Sequence, residues 1–190
     1  MQVSVRAPRR GRSLRRWVAG LVTVLVAVAL ASNLYLAALL ASHIPGVFEA
    51  WDAVVSWHRW AADWAAGRWP SYTYGYPQLV PVTWSGFYVW MGTDRAEFAA
   101  RALMAAFPLL VTAVLVDAGL RSGRAAPWLA AALWPLVLQA FFADVIDSGY
   151  VDVPVTFFLL LTASLLAWVA LGQLPAESGL VAAAVAAAAA

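Results

Sequence analysis

The fold class this sequence predicts is all-α integral membrane: a polytopic helical bundle of about four full spans and a partial fifth, with amphipathic interfacial helices in the first external loop. Three observations carry that expectation. Of 190 residues, 64% are hydrophobic and only 12% are charged, with a mean hydropathy of +0.77; soluble domains run at roughly half apolar and a quarter charged. Long uncharged runs recur along the chain. Six arginines, Arg6, Arg9, Arg10, Arg12, Arg15 and Arg16, precede the first run with no acid among them. A basic segment abutting an apolar run follows the positive-inside rule, which places residues 1–16 in the cytoplasm and calls for no nucleic-acid partner. The chain has no cysteine, which excludes a disulfide framework, a cysteine nucleophile and thiolate metal sites.

The elements follow in order. Trp17 to Leu40 gives 24 residues without a charge, about 36 Å of helix against a hydrocarbon core of about 30 Å, so residues 17–41 form the first span. The competing reading, a cleaved signal peptide, needs an apolar stretch of only about 7 to 15 residues. Residues 42–97 form an external loop. Its breakers are Pro45, Gly46, Pro70, Gly75 and Pro77, and Trp51, Trp57, Trp60, Trp64 and Trp69 crowd between them, a density suited to a membrane-water interface. Val47 to Ala66 has helical periodicity: Glu49, Asp52, Ser56, Arg59 and Asp63 share one stripe with Trp57, Trp60 and Trp64 beside it, as in a helix lying on the bilayer. Leu79 to Gly92 is apolar but only about 14 residues long, with Pro81 and Gly86 inside, which predicts an interfacial or re-entrant segment. The topology turns on this segment.

The second span is residues 98–120, with Pro108 inside it, followed by a short basic cytoplasmic loop, 121–124. The third is 125–142; an external acidic loop, 143–152, carries Asp144, Asp147 and Asp152; the fourth is 153–172. Residues 173–190 read as a cytoplasmic loop and the start of a fifth helix that covers about 16 Å, half a membrane, so the chain is expected to be the N-terminal portion of a longer protein.

By parity the tryptophan-rich loop and the acidic loop lie on one side, so Asp52 and Asp152 are brought to the same membrane face. Two such carboxylates can share a divalent cation (Mg, Mn or Zn), since hard cations take oxygen ligands. Equally, Asp52 can serve as a general base toward an acceptor hydroxyl. Solvation or helix capping is the commoner use of carboxylates so placed. Arg59 and Arg68 are candidates for holding a lipid-linked phosphate, because the planar guanidinium suits phosphate oxygens. For Arg59 an ion pair with Asp63, four residues on, is a sufficient alternative, and Arg101 with Glu97 and Arg121 with Asp117 have the same spacing. Arg68 has no such neighbour in sequence. Tyr72, Tyr74 and Tyr76 alternate in SYTYGYP and can offer rings to a sugar or to lipid. His43 and His58 form no metal-binding spacing. No GxxxxGK[ST], HExxH or GxSxG pattern is present, so ATPase, zincin and serine-hydrolase readings have no support.

The order of features resembles the N-terminal part of the GT-C glycosyltransferases, especially the bacterial protein-mannosyltransferase-like and aminoarabinose-transferase-like group. The residues that carry it are Trp51-Asp52-Ala53 after the first span, Tyr74-Gly75-Tyr76-Pro77-Gln78-Leu79 where the family often has YPPL, Gly92 followed by Ala99-Ala100-Arg101-Ala102-Leu103, and Gly149-Tyr150-Val151-Asp152-Val153-Pro154. The resemblance covers about residues 17–172, and its weight lies in the order of its motifs. It implies an enzyme of the plasma (inner) membrane that takes sugar from a polyprenyl-phosphate-linked donor and passes it to a glycan, lipid or protein acceptor on the non-cytoplasmic face. It maps the catalytic carboxylate onto Asp52 and a cavity-lining, in some relatives metal-holding, acid onto Asp152. Arg59 and Arg68 would then face the phosphate, with Tyr74 and Tyr76 near the substrate. Gln78 departs from the second proline of YPPL. The competing class is a non-catalytic polytopic membrane protein, transporter-like or an assembly subunit, in which external carboxylates only solvate loops. Transporters keep ionisable groups near the midplane, and here the spans hold almost none.

Overall fold

The computed structural model describes residues 10–73, 75–142 and 149–190, the side chains of 10–16 and 142 excepted. Its elements are α1 (Arg10–His43), a π-helical turn (Ala53–His58) running into α2 (Arg59–Ala65), α3 (Leu79–Met91), α4 (Glu97–Ser122), α5 (Ala125–Phe142), α6 (Asp152–Ala170) and α7 (Ala176–Ala189). There is no strand among the described residues.

Three helices are long and apolar enough to cross a membrane: Trp17–His43, Glu97–Ser122 and Asp152–Ala170. Four full spans were expected. The third of those, α5, has 18 residues, about 27 Å of helix, and is among the shorter apolar helices together with α7. Only 17% of the most apolar window of α1 is buried, and Leu21, Val24, Val28, Leu30 and Leu34 stand exposed along it. An apolar surface that large is untenable in water and suits lipid.

Small residues and a few polar ones join the helices. Ala29 on α1 faces Ala131 and Ala132 on α5, all buried, so the two backbones approach closely. Through that gap the Asn33 amide donates to the Ala29 carbonyl (2.8 Å) and the Ala131 carbonyl (3.0 Å), while Thr112 of α4 donates to Asn33 Oδ1 at 2.5 Å. In hydrocarbon such groups must be met from neighbouring helices. The Trp134 indole donates to the Pro108 carbonyl (2.9 Å), a further tie between α5 and α4. α7 folds back on α6, with Gly179, Ala183 and Ala186 buried along one stripe and Val169 of α6 seated where a Cβ on Gly179 would be.

The bundle has two distinct ends. At one, Arg121 at the end of α4 pairs with Asp117 (2.8 Å), as the spacing predicts, and lies 4.7 Å over the Trp168 ring near the end of α6. At the other, α1 delivers residues 44–50 onto the start of α4. There Glu97 accepts from the Phe48 backbone N–H at 2.7 Å, and Arg101, buried, donates to the Val47 carbonyl. The incoming loop thus offers a backbone partner to each of these two side chains. Gly46 leaves the room that the Arg101 guanidinium occupies.

The segment 42–97 departs from its surface-helix expectation. Its helix starts at Trp51, not Val47, and its first turns are π rather than α. Trp57 and Trp60 are buried, as is Trp84 of α3 against the stacked Phe48 ring (4.6 Å). Of the five tryptophans expected at the interface, only Trp51 and Trp69 are largely exposed. The loop has its own apolar core, and burying an indole against other rings gains more than leaving it at a surface.

Candidate functional site

Asp52 opens the π-helical turn and Asp152 opens α6. Asp52 stands at the N-cap of its turn without a side-chain hydrogen bond to it, while Asp152 lies in the first turn of α6, where a helix N-terminus favours a carboxylate; both are exposed. Both line a single cavity of about 250 Å³.

Local backbone geometry explains the convergence. In an α-helix, at 100° per residue, Trp57 would lie about 140° around from Asp52, on another face. A π turn takes about 4.4 residues per turn, so five residues bring the chain back to within about 50° of its start. Asp52 and Trp57 therefore both face the cavity, with Ser56 between them and Trp60 one turn on. The Trp57 ring meets Trp60 edge-on at 4.8 Å and Tyr76 edge-on at 5.4 Å. Gln78 steadies this wall: it accepts from the Trp64 indole (3.3 Å) and donates to the Tyr76 carbonyl (3.1 Å). A proline there could do neither.

The opposite wall is Tyr150, Val151 and Asp152. Gly149 admits it, since its φ is +95° and a Cβ there would fall 2.7 Å from the Ala53 Cβ and 2.8 Å from the Phe48 ring. Ala53 is wholly buried under this contact.

Of the sequence candidates, Asp52, Asp152 and Tyr76 are brought together. Tyr74, like Asp144 and Asp147, lies outside the described residues. Arg59 is exposed and does not line the cavity. Arg68 has a local partner after all: its Nη2 and Nε reach Asp63 Oδ1 at 2.6 and 3.1 Å. The chain turns back at Gly67, whose φ is +69°, so Asp63 is taken by Arg68 and the Arg59–Asp63 pair does not form. Arg68 lies instead on a separate open groove with Tyr88 and Asp94.

Trp57, Trp60 and Tyr150 were legible as aromatic residues but not as cavity walls. Among the described residues, the titratable group driven far from its ordinary range is Tyr88 of α3, held well above it by burial first and then by Glu97 and Asp94. Its hydroxyl is 2.9 Å from His58 Nδ1, which gives His58 a structural partner. No group of three or more histidine or acidic residues positioned to hold a metal occurs among the described residues.

No family model, curated protein or solved structure matches this chain.

Proposed function

We propose that this chain belongs to an integral-membrane glycosyltransferase of the GT-C type. It would transfer sugar from a polyprenyl-phosphate-linked donor to an acceptor hydroxyl on the non-cytoplasmic face of the plasma membrane. α1, α4, α5 and α6 would be its spans, with the N-terminus cytoplasmic. The observation that carries the reading is the shared cavity of Asp52 and Asp152, assembled from two distant segments and walled by aromatic rings.

In this reading Asp52 takes the proton from the acceptor hydroxyl as its oxygen bonds to the sugar C1, and the bond from C1 to the phosphate oxygen breaks, releasing the polyprenyl phosphate. Asp152 holds the sugar or its acceptor from the facing wall. The lining supplies two carboxylates and a serine hydroxyl, a hard-oxygen set that fits Mg or Mn better than Zn. A divalent cation held there by Asp52 and Asp152 would supply the positive charge that a departing phosphate needs. Arg59 and Arg68, off the lining, would act only at the rim, on the phosphate or on lipid headgroups.

The test is transfer by the complete protein in native membranes, supplied with a panel of radiolabelled polyprenyl-phosphate sugars. Asp52→Asn should lower the rate by about 10²-fold or more, the usual contribution of a positioned base. Asp63→Asn, a carboxylate off the cavity, should leave it near wild type. Unchanged transfer by the Asp52 variant would sink the assignment.

A further inference from the structure

Trp57 is 5% exposed, forms part of the cavity wall, and its indole N–H has no acceptor among the described residues. Buried donors are almost always met, so an unmet one in a cavity wall points to a ligand oxygen, which the Trp57 ring must turn to meet because the N–H itself is shielded from solvent. Trp84 also has an unmet N–H, but it is wholly enclosed and lines neither cavity. We propose that the cavity is a subsite for one neutral sugar ring and that the Trp57 indole N–H is its hydrogen-bond donor. The sugar class rests on the glycosyltransferase reading; the donor, the size and the charge selectivity come from the cavity.

At about 250 Å³ the cavity falls just under the roughly 300–1,000 Å³ of drug-sized pockets, which suits a single ring. Trp60, Tyr76 and Tyr150 offer apolar ring faces, and Asp52 and Asp152 accept from hydroxyls. A pyranose presents that mixture of C–H faces and a hydroxyl rim. Charge sets the selectivity. No arginine lines the cavity among the described residues, and Arg68 is engaged by Asp63, so the two carboxylates repel an anion. With no cation between the two carboxylates, a uronic acid is disfavoured.

The experiment uses the complete protein in lipid nanodiscs, with a chelator present and its indoles isotope-labelled. It is titrated with methyl pyranosides of gluco, manno, galacto and xylo configuration and with methyl glucopyranosiduronate. The indole resonance that disappears in Trp57→Phe should shift with at least one neutral glycoside, and the uronate should bind at least about tenfold more weakly than the glucoside or not at all. Trp57→Phe, which keeps a ring against Trp60 and Tyr76, should weaken the neutral glycoside about fivefold, the worth of one neutral hydrogen bond. No shift at Trp57, equal affinity in the Phe variant, or equal binding of the uronate would each overturn the proposal. The comparison of neutral and anionic glycosides needs only the wild type, should the variant not fold. Sugar binding with the Trp57 shift in a protein that transfers no sugar would overturn the transferase reading alone. Transfer abolished by Asp52→Asn but untouched by Trp57→Phe would overturn the subsite alone.

Discussion

A Cβ placed on Gly149 would lie 2.7 Å from the Cβ of Ala53, so the backbone leading into Asp152 rests directly on the turn that starts at Asp52. Gly149→Ala therefore carries two penalties, a left-handed φ of +95° and a clash with Ala53 and the Phe48 ring. Together they should destabilise the protein by roughly 1–3 kcal/mol, read as a lowered unfolding midpoint in detergent micelles. Adding Ala53→Gly should recover the part of the steric cost that falls on Ala53 and leave the Phe48 contact and the backbone part. An unchanged midpoint in Gly149→Ala would show that the two segments are not in contact.

The helices were legible because membrane helices are written as uncharged runs between charges. Spans expected at 17–41, 98–120, 125–142 and 153–172 correspond to apolar helices at Trp17–His43, Glu97–Ser122, Ala125–Phe142 and Asp152–Ala170. Asp52 and Asp152 were legible as a pair because span parity alone places them at one end. The interior of the segment 42–97 was not. A tryptophan suits an interface and a packed core equally well, so composition could not assign Trp57 and Trp60 to the cavity. A π turn leaves no trace in a periodicity measured at 100° per residue, and the Arg68–Asp63 pair depends on a chain reversal at Gly67 beyond the end of α2.

Asn33 is uncharged and drew no notice in the sequence, yet it ties α1 to both α4 and α5. Asn33→Leu removes two interhelical hydrogen bonds and leaves the Thr112 hydroxyl without its closer acceptor. Interhelical hydrogen bonds within membranes average about 0.6 kcal/mol each, so the expected cost is roughly 1–2 kcal/mol. Thr112→Val should cost about half as much. Steric-trap unfolding in bicelles would read both, and equal costs for the two variants would contradict the shared role of Asn33.

The four-span reading depends on α3, whose 13 residues make about 20 Å of helix, too short for a bilayer core of about 30 Å. The absence of native cysteine leaves no background for labelling. Single cysteines replacing Asp52, Asp152 and Gly123, all exposed positions, should sort by side in intact cells treated with a membrane-impermeant maleimide. Positions 52 and 152 are expected to react and 123 to be protected. Reaction at 52 and 123 with protection at 152 would make α3 a span and separate the two carboxylates.

Tyr88 supplies the pH dependence. Burial raises its hydroxyl above the ordinary tyrosine value of 10.0, with Glu97 and Asp94 adding to the effect. The folded protein therefore holds that proton more tightly than the unfolded chain does. The stabilisation is complete below the unfolded value and is lost as pH rises past 10.0 toward the folded value. Denaturant midpoints measured from about pH 8 upward should fall steeply once the ordinary tyrosine range near pH 10 is passed. Tyr88→Phe loses the hydrogen bond to His58 and should start about 1 kcal/mol lower at neutral pH. Its alkaline decline should be distinctly flatter, because a ring without a hydroxyl has no proton to lose. Parallel curves for the two proteins would place the origin of the alkaline loss elsewhere.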